Sequence, residues 1–420
     1  MSLQGPIIVV ADTPAPDIVE ALGTAGAFPI VEATWADAST AFVAVKPAAV
    51  VIVEPGAPRS ESSARMLCLQ IATAAGPIVP TLALVQGELG PAIPIALCAD
   101  AAMPTERLIA RLQSALRVRA LHATVLRRIE SGAAHGGKLP ELPIGDALND
   151  ATVLIAGRGP LYPALSVAMG EQVNIVGGLS VETAAKHLAS RDIDGIVVGD
   201  GFSPRMVEAF LTLLAQDTRF RDIPVAVIGE APPDFAVHLP NIDQVDGDPA
   251  RLVPGMVPAV RLHALEARLK RMLKSLDADG MVDPDTGLLN RDAFWHELAN
   301  AIAEANERSL ALSIARFSFE GALNERSRLD GARLVTRLIR NTDFASREDD
   351  AGILVVFTQT DLRSAHVVAR RIAGALKNML VPALPREPIT ANVTLATFKA
   401  GDTLNRLMLR MMDGRVVAAE

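Results

Sequence analysis

Aromatic residues are scarce in this 420-residue chain: one Tyr, two Trp and twelve Phe. Cores here must therefore be built mainly from aliphatic side chains, which fits a chain that is 50% hydrophobic and rich in Ala and Val. Cysteine is nearly absent. Cys68 and Cys98 are too few for a disulfide framework, so a reducing, cytoplasmic setting is expected, with both as buried apolar thiols. A basic excess is missing too, since the formal net charge is -8. That balance argues against nucleic acid or an anionic membrane surface as the main partner, because both require clustered Lys and Arg. No apolar run approaches the roughly 20 residues of a membrane span. The start, Met1-Ser2-Leu3-Gln4-Gly5, has no basic stretch ahead of an apolar one, so no signal peptide is expected. Metal spacings of the H-x-x-x-H or C-x-x-C kind do not occur, nor does a G-x-S-x-G elbow or a P-loop.

What is present reads as several domains, each large enough for its own core. In residues 1–130, Ile7-Ile8-Val9-Val10 and Val50-Val51-Ile52-Val53 are buried-strand runs separated by a helical stretch. Residues 80–85 and 93–98 are further strands, and 105–129 form a long helix with Leu108, Leu112, Leu116, Val125 and Ile129 on one side. Strands alternating with helices predict an α/β domain with a doubly wound parallel sheet. Residues 131–150, with Gly-Gly and two Pro, read as a linker. The alternation restarts over 151–278, with strands at 152–156, 195–198 and 223–228. Gly157-Arg158-Gly159 begins like a dinucleotide fingerprint, but Tyr162 stands where the third glycine belongs. Leu262, Leu265, Leu269, Met272 and Leu276 recur every three or four residues. That stripe suits either a helix packed on its own sheet or a short dimerising helix.

Both segments resemble response-regulator receiver domains, which have a flavodoxin-like fold. The resemblance places Glu54 and Asp200 at the phosphoacceptor position, with Pro58 and Pro204 four residues on. Receiver chemistry needs an acidic pair for magnesium, an Asp nucleophile, a Thr/Ser and a Lys. The first segment offers only Asp12 as an acid, with Val85 and Asp100 near the Thr/Ser and Lys positions. In the second, Gly157-Arg158-Gly159 replaces the acidic pair, and Gly229 and Val245 take the other two places. Asp200 is a candidate phosphoacceptor without a magnesium pocket. Glu54 is a substitute that either mimics phosphorylation by its charge or simply ends a strand.

Residues 279–420 carry the most specific signal. Asp283-Pro284-Asp285-Thr286-Gly287-Leu288-Leu289-Asn290-Arg291 is followed, far downstream, by Arg340-Asn341-Thr342-Asp343, three residues, and Arg347. Asp349-Asp350-Ala351-Gly352-Ile353 then leads into an apolar strand. This order resembles GGDEF domains, the diguanylate cyclase family, with an α+β fold. The resemblance implies a degenerate member, because Asp349 to Ile353 stand where G-G-(D/E)-E-F belongs. Ala315 stands at a magnesium-binding Asp, Glu320 at a phosphate-holding Lys, and Ala351 or Gly352 at the second metal carboxylate. The N-D-x-F-G-H region that grips guanine is missing, with Asn324 as its one conceivable remnant, and the usual A-D-x-A-L-Y-x-A-K ending is absent.

Cyclase catalysis is metal-assisted phosphoryl transfer, so losing both carboxylates implies no enzyme and no cofactor. The family's inhibitory motif R-x-x-D is retained. By resemblance, Arg340 and Asp343 bind cyclic di-GMP as a regulatory ligand, with Arg371 (or its neighbour Arg370) as a further contact. Arg can fork onto the O6/N7 edge of guanine and Asp can accept from N1 and N2. Arg347 is expected to pair with an acid near the hairpin. The whole arrangement resembles non-catalytic adaptors with two receivers and a GGDEF domain, which deliver regulators to a protease. Protein partners in a signalling or proteolytic-adaptor pathway, and a homodimer, are implied. The alternative is a ligand-free scaffold that keeps only interaction surfaces.

Overall fold

The computed structural model describes residues 3–53, 61–85, 97–101, 103–134, 145–229, 239–308, 311–321, 323–340, 342–348, 352–380, 390–412 and 417–418. They fall into two compact units that divide at Leu269/Lys270, within one long helix. The described residues up to 130 and from 145 to Leu269 make the first unit.

That unit contains two sheets wound alike. The first is formed by β1 (Gln4–Val10), β2 (Phe28–Ala33), β3 (Ala49–Val53), β4 (Thr81–Val85) and β5 (Leu97–Asp100). Its order is β2-β1-β3-β4-β5, and every pairing is parallel. This is flavodoxin-like winding. Helices α1 (Pro16–Thr24), α2 (Ala38–Val45), α3 (Glu61–Ala72) and α4 (Thr105–Ala134) connect and follow the strands. Because alternate residues of a strand face opposite ways, Ile8, Val10, Val50 and Ile52 pack with Trp35, Phe42 and Leu67. Ile7, Val9 and Val51 pack with Leu22, Leu108 and Leu112 on the other face. Burial on both faces explains why the central strands read as unbroken apolar runs.

One expectation is corrected here. The single helical stretch foreseen between Asp12 and Ala48 is helix, strand, helix. The missed strand, β2, lies at the edge of the sheet and is largely exposed along Phe28 to Glu32. An edge strand needs no apolar run, so it leaves a weak mark in the sequence.

The second sheet repeats the pattern with β6 (Thr152–Ala156), β7 (Asn174–Gly178), β8 (Gly195–Val198), β9 (Val225–Ile228) and β10 (Ile242–Val245), in the order β10-β9-β8-β6-β7. Its pairings are again parallel. Helices α5 (Tyr162–Gly170), α6 (Val181–Ser190) and α7 (Pro204–Gln216) lie between strands, and α8 (Pro249–Asp277) follows the last. The two strands absent from the sequence reading, β7 and β10, are again the edges. Within this unit, buried Arg111 of α4 donates to Asp243 of β10 at 2.8 Å, and Arg117 meets Asp222 at 2.6 Å. The heptad-like stripe lies on α8. Leu262 packs in the cluster of the first sheet, Leu265 in that of the second, and Leu269, Met272 and Leu276 are buried. Within the chain the stripe is thus used in packing against both sheets' clusters.

The second unit is an antiparallel sheet with helices on both faces. In chain order it holds α9 (Arg291–Arg308), β11 (Leu312–Glu320), α10 (Glu325–Leu338), β12 (Phe344–Arg347), β13 (Ile353–Thr358), α11 (Leu362–Met379), β14 (Thr390–Thr397), α12 (Leu404–Met412) and β15 (Val417–Ala418). The strand order is β12-β13-β11-β14-β15. Phe317, Val355 and Phe357 pack against Ala369, Ile372 and Leu376 of α11 on one face. Ile314, Leu354 and Val356 pack against Phe294, Leu298, Leu407 and Met411 on the other. Asn290 begins α9 by accepting the Ala293 N–H at 2.8 Å, and Asp361 begins α11 by accepting the Ser364 N–H at 2.7 Å. Among the described residues, no helix is long and apolar enough to cross a membrane.

Candidate ligand-binding site

The R-x-x-D segment lies where α10 hands the chain to the edge strand β12. Helix α10 ends at Leu338, and a turn follows in which the Asp343 N–H donates to the Arg340 carbonyl at 3.0 Å. The turn is fastened to the end of β13. The Asp343 Oδ1 accepts the Thr358 N–H at 3.1 Å, and its Oδ2 accepts the Arg340 N–H at 3.4 Å. The Thr358 hydroxyl donates to the Thr342 carbonyl at 3.1 Å.

Arg340 is exposed, and its guanidinium makes no hydrogen bond or ion pair among the described residues. The two residues therefore do not form the ordinary i, i+3 ion pair that such spacing often produces. Asp343 is half-buried, with one backbone amide on each oxygen. An ionised carboxylate has about four acceptor sites, so about two remain for a ligand. Arg371 lies exposed on α11, as does Arg370. That helix packs across β14 and β11 and against α10, sharing a core cluster with Leu338 and Ile339 just ahead of the turn. Among the described residues, neither arginine hydrogen-bonds to Arg340 or Asp343.

At the opposite end of β12 stands the hairpin of the altered signature. Residues 349–351 lie outside the described set. The Glu348 N–H donates to the Gly352 carbonyl at 2.8 Å, and the Glu348 carboxylate takes the Arg316 Nε–H at 2.6 Å. Among the described residues, Arg347 reaches Glu325 of α10 at 3.6 Å. Arg291, Trp295, Arg316, Arg347 and Glu348 line a cleft of about 210 Å³ there.

The positions that would hold magnesium do not fit it. Ala315 is fully buried, between Val355 of β13 and Leu395 of β14, and has no donor atom to offer. Glu320 accepts from Asn392 at 2.8 Å and brings a negative charge where phosphate would need a cation. The connection from β11 to α10 is residues 321–324, too short for a purine-gripping loop. Asn324, the one conceivable remnant of one, serves the helix instead. Its side chain accepts the Ser327 N–H at 2.7 Å and caps α10.

In the first unit, Glu54 lies outside the described residues. Asp12 is exposed and accepts the Trp35 N–H at 3.2 Å. Asp200 follows β8 at the C-terminal edge of its sheet and is closed in from above. Its carbonyl accepts the N–H groups of Arg158 and Gly159, both at 3.1 Å. Its carboxylate accepts the Leu161 N–H at 3.4 Å. A Cβ on Gly159 would come within 2.2 Å of the Asp200 carboxylate, and Gly201 holds φ +85° with its own Cβ direction 2.7 Å from Gly159 N. The glycines that suggested a nucleotide fingerprint thus serve a close approach of two backbones. A phosphoryl group on Asp200 would have to displace that loop. Cys68, expected to be buried, is half-buried, and the apolar surroundings push its thiol pKa up.

No protein-family profile and no curated protein matches the chain. Solved structures do overlap part of it. The coiled coil and GGDEF domain of DgcB from Caulobacter crescentus, in complex with c-di-GMP, is 21% identical, covers 35% of this chain and 84% of its own, and has a TM-score of 0.30. The FimX GGDEF domain from Pseudomonas aeruginosa is 19% identical, covering 32% and 93%, with a TM-score of 0.27. A sensory box/GGDEF family protein from Caulobacter crescentus is 23% identical, covering 32% and 94%, also at 0.27. At these scores the likeness fixes neither an activity nor a ligand for this chain.

Proposed function

We propose that this protein is a non-catalytic signalling protein that binds cyclic di-GMP at Arg340 and Asp343 and relays occupancy to protein partners. Two degenerate receiver-like domains and a degenerate GGDEF domain would form its body, and adaptor work in a proteolytic or signalling pathway would be its output. The observation that carries the reading is Arg340, exposed and without a side-chain partner among the described residues, beside a carboxylate that retains free lone pairs at a sheet edge. A guanidinium fork can take the O6/N7 edge of guanine, and the carboxylate can accept from N1 and N2, with no metal involved. Ala315 and Glu320, at the cyclase metal and phosphate positions, favour binding without turnover.

Calorimetric titration of the full chain with cyclic di-GMP tests the reading. Binding at micromolar or tighter concentration is expected, weakened roughly 5- to 150-fold in Arg340→Ala, as expected for loss of one good bidentate base contact. A second reading, a ligand-free scaffold, is favoured by the two backbone amides already on Asp343. A silent titration with folded protein would select it.

A further inference from the structure

We infer that Thr358 is the positioning residue of the R-x-x-D site, a role that rests on the cyclic di-GMP reading above. The turn 340–343 follows a helix end and precedes an edge strand, so little else holds it. Thr358 grips it twice. Its N–H holds Asp343 Oδ1 at 3.1 Å, and its hydroxyl holds the Thr342 carbonyl at 3.1 Å. Together these fix where the carboxylate stands and how the peptide between Thr342 and Asp343 is oriented.

Thr358 is itself tied to the middle of the sheet. The Thr360 hydroxyl donates to the Thr358 carbonyl at 2.8 Å, and the fully buried Ser313 donates to the Thr360 carbonyl at 2.9 Å. Ser313 lies 3.1 Å from the Thr397 hydroxyl of β14. A chain of hydroxyls thus crosses the end of the sheet from β14 through β11 to the turn. Buried polar groups must find partners, and here each finds one that also anchors the next. The carboxylate that would accept from guanine is held by the rigid part of the domain, while Arg340 is left to move with its ligand. Holding one recognition group still lowers the ordering cost of binding.

The test compares Thr358→Val, which keeps shape and branching but loses the hydroxyl, with Thr358→Ser, which keeps the hydroxyl. Two readouts are taken on the full chain. Hydrogen exchange of the peptide spanning residues 340–346 is expected to quicken several-fold in Thr358→Val and to match wild type in Thr358→Ser. Cyclic di-GMP affinity is expected to fall roughly 2- to 10-fold in Thr358→Val alone, the size of one net hydrogen bond. Thermal unfolding reports whether each variant is folded. Equal exchange in all three proteins overturns the inference, as does a Thr358→Val protein that binds like wild type. Absence of binding by the wild-type protein rejects the ligand reading and, with it, a positioning role toward that ligand. The exchange comparison then reports separately whether Thr358 holds the turn.

Discussion

Asp200 and Asp343 both stand beside strand ends and both accept backbone N–H groups, yet their surroundings are opposite. Asp200 lies beneath Gly157-Arg158-Gly159, where even a methyl group would collide with it. Asp343 lies at the edge of a sheet beside an exposed arginine that has no side-chain partner among the described residues. The first carboxylate is an internal tie between two loops; the second is a tie with one side open. An acidic residue at a family's reactive position is therefore no sign of reactivity until the space above it is known.

The comparison breaks most readily at Gly159. Gly159→Ala is expected to destabilise the first unit by about 1–3 kcal/mol, the cost of overpacking that forces the Asp200 side chain to shift. Urea denaturation measures it, and a loss below about 0.5 kcal/mol would mean that the loop moves aside with ease. Asp343→Ala should cost less, about 1 kcal/mol, because the Thr358 and Arg340 amides lose a partner but can reach water. Arg340→Ala should change stability by under about 0.5 kcal/mol while weakening ligand binding roughly 5- to 150-fold, as expected for an exposed side chain whose task is outside the fold. The smallest expected effect is none. Acetyl phosphate with magnesium should leave the mass of the intact chain unchanged by any phosphoryl group on Asp200. A phosphorylated Asp200, mapped by peptide mass and lost in Asp200→Asn, would show that the closed loop opens.

How far the sequence could be read follows from burial. Ile7 to Val10, Val50 to Val53, Val153 to Ala156 and Ile353 to Phe357 are central strands covered on both faces, and each was visible as an apolar run. β2, β7 and β10 were not, because an edge strand is half solvated and carries no such mark. The heptad-like stripe from Leu262 to Leu276 was visible but ambiguous, since period alone does not say what a helix packs against. At the site, Arg340 and Asp343 were found by their spacing and by the ordered landmarks around them. Thr358 was not, because a threonine closing an apolar strand looks like any other, and its two bonds join residues fifteen and more apart along the chain. Asn324, one conceivable relic of chemistry in the sequence, caps α10, a role the same residue type fills commonly.

The sequence alone determined two alternating strand–helix patterns, an Ala at 315 and a Glu at 320 where a metal or phosphate would need other groups, and an Arg and an Asp at i, i+3. Those are matters of which atoms are present. Only the tertiary structure decided that Asp200 is covered, that Asp343 is fastened through Thr358, and that Arg340 is exposed with no side-chain partner among the described residues. Coverage and freedom depend on what the folded chain brings from far away, and no local pattern records that.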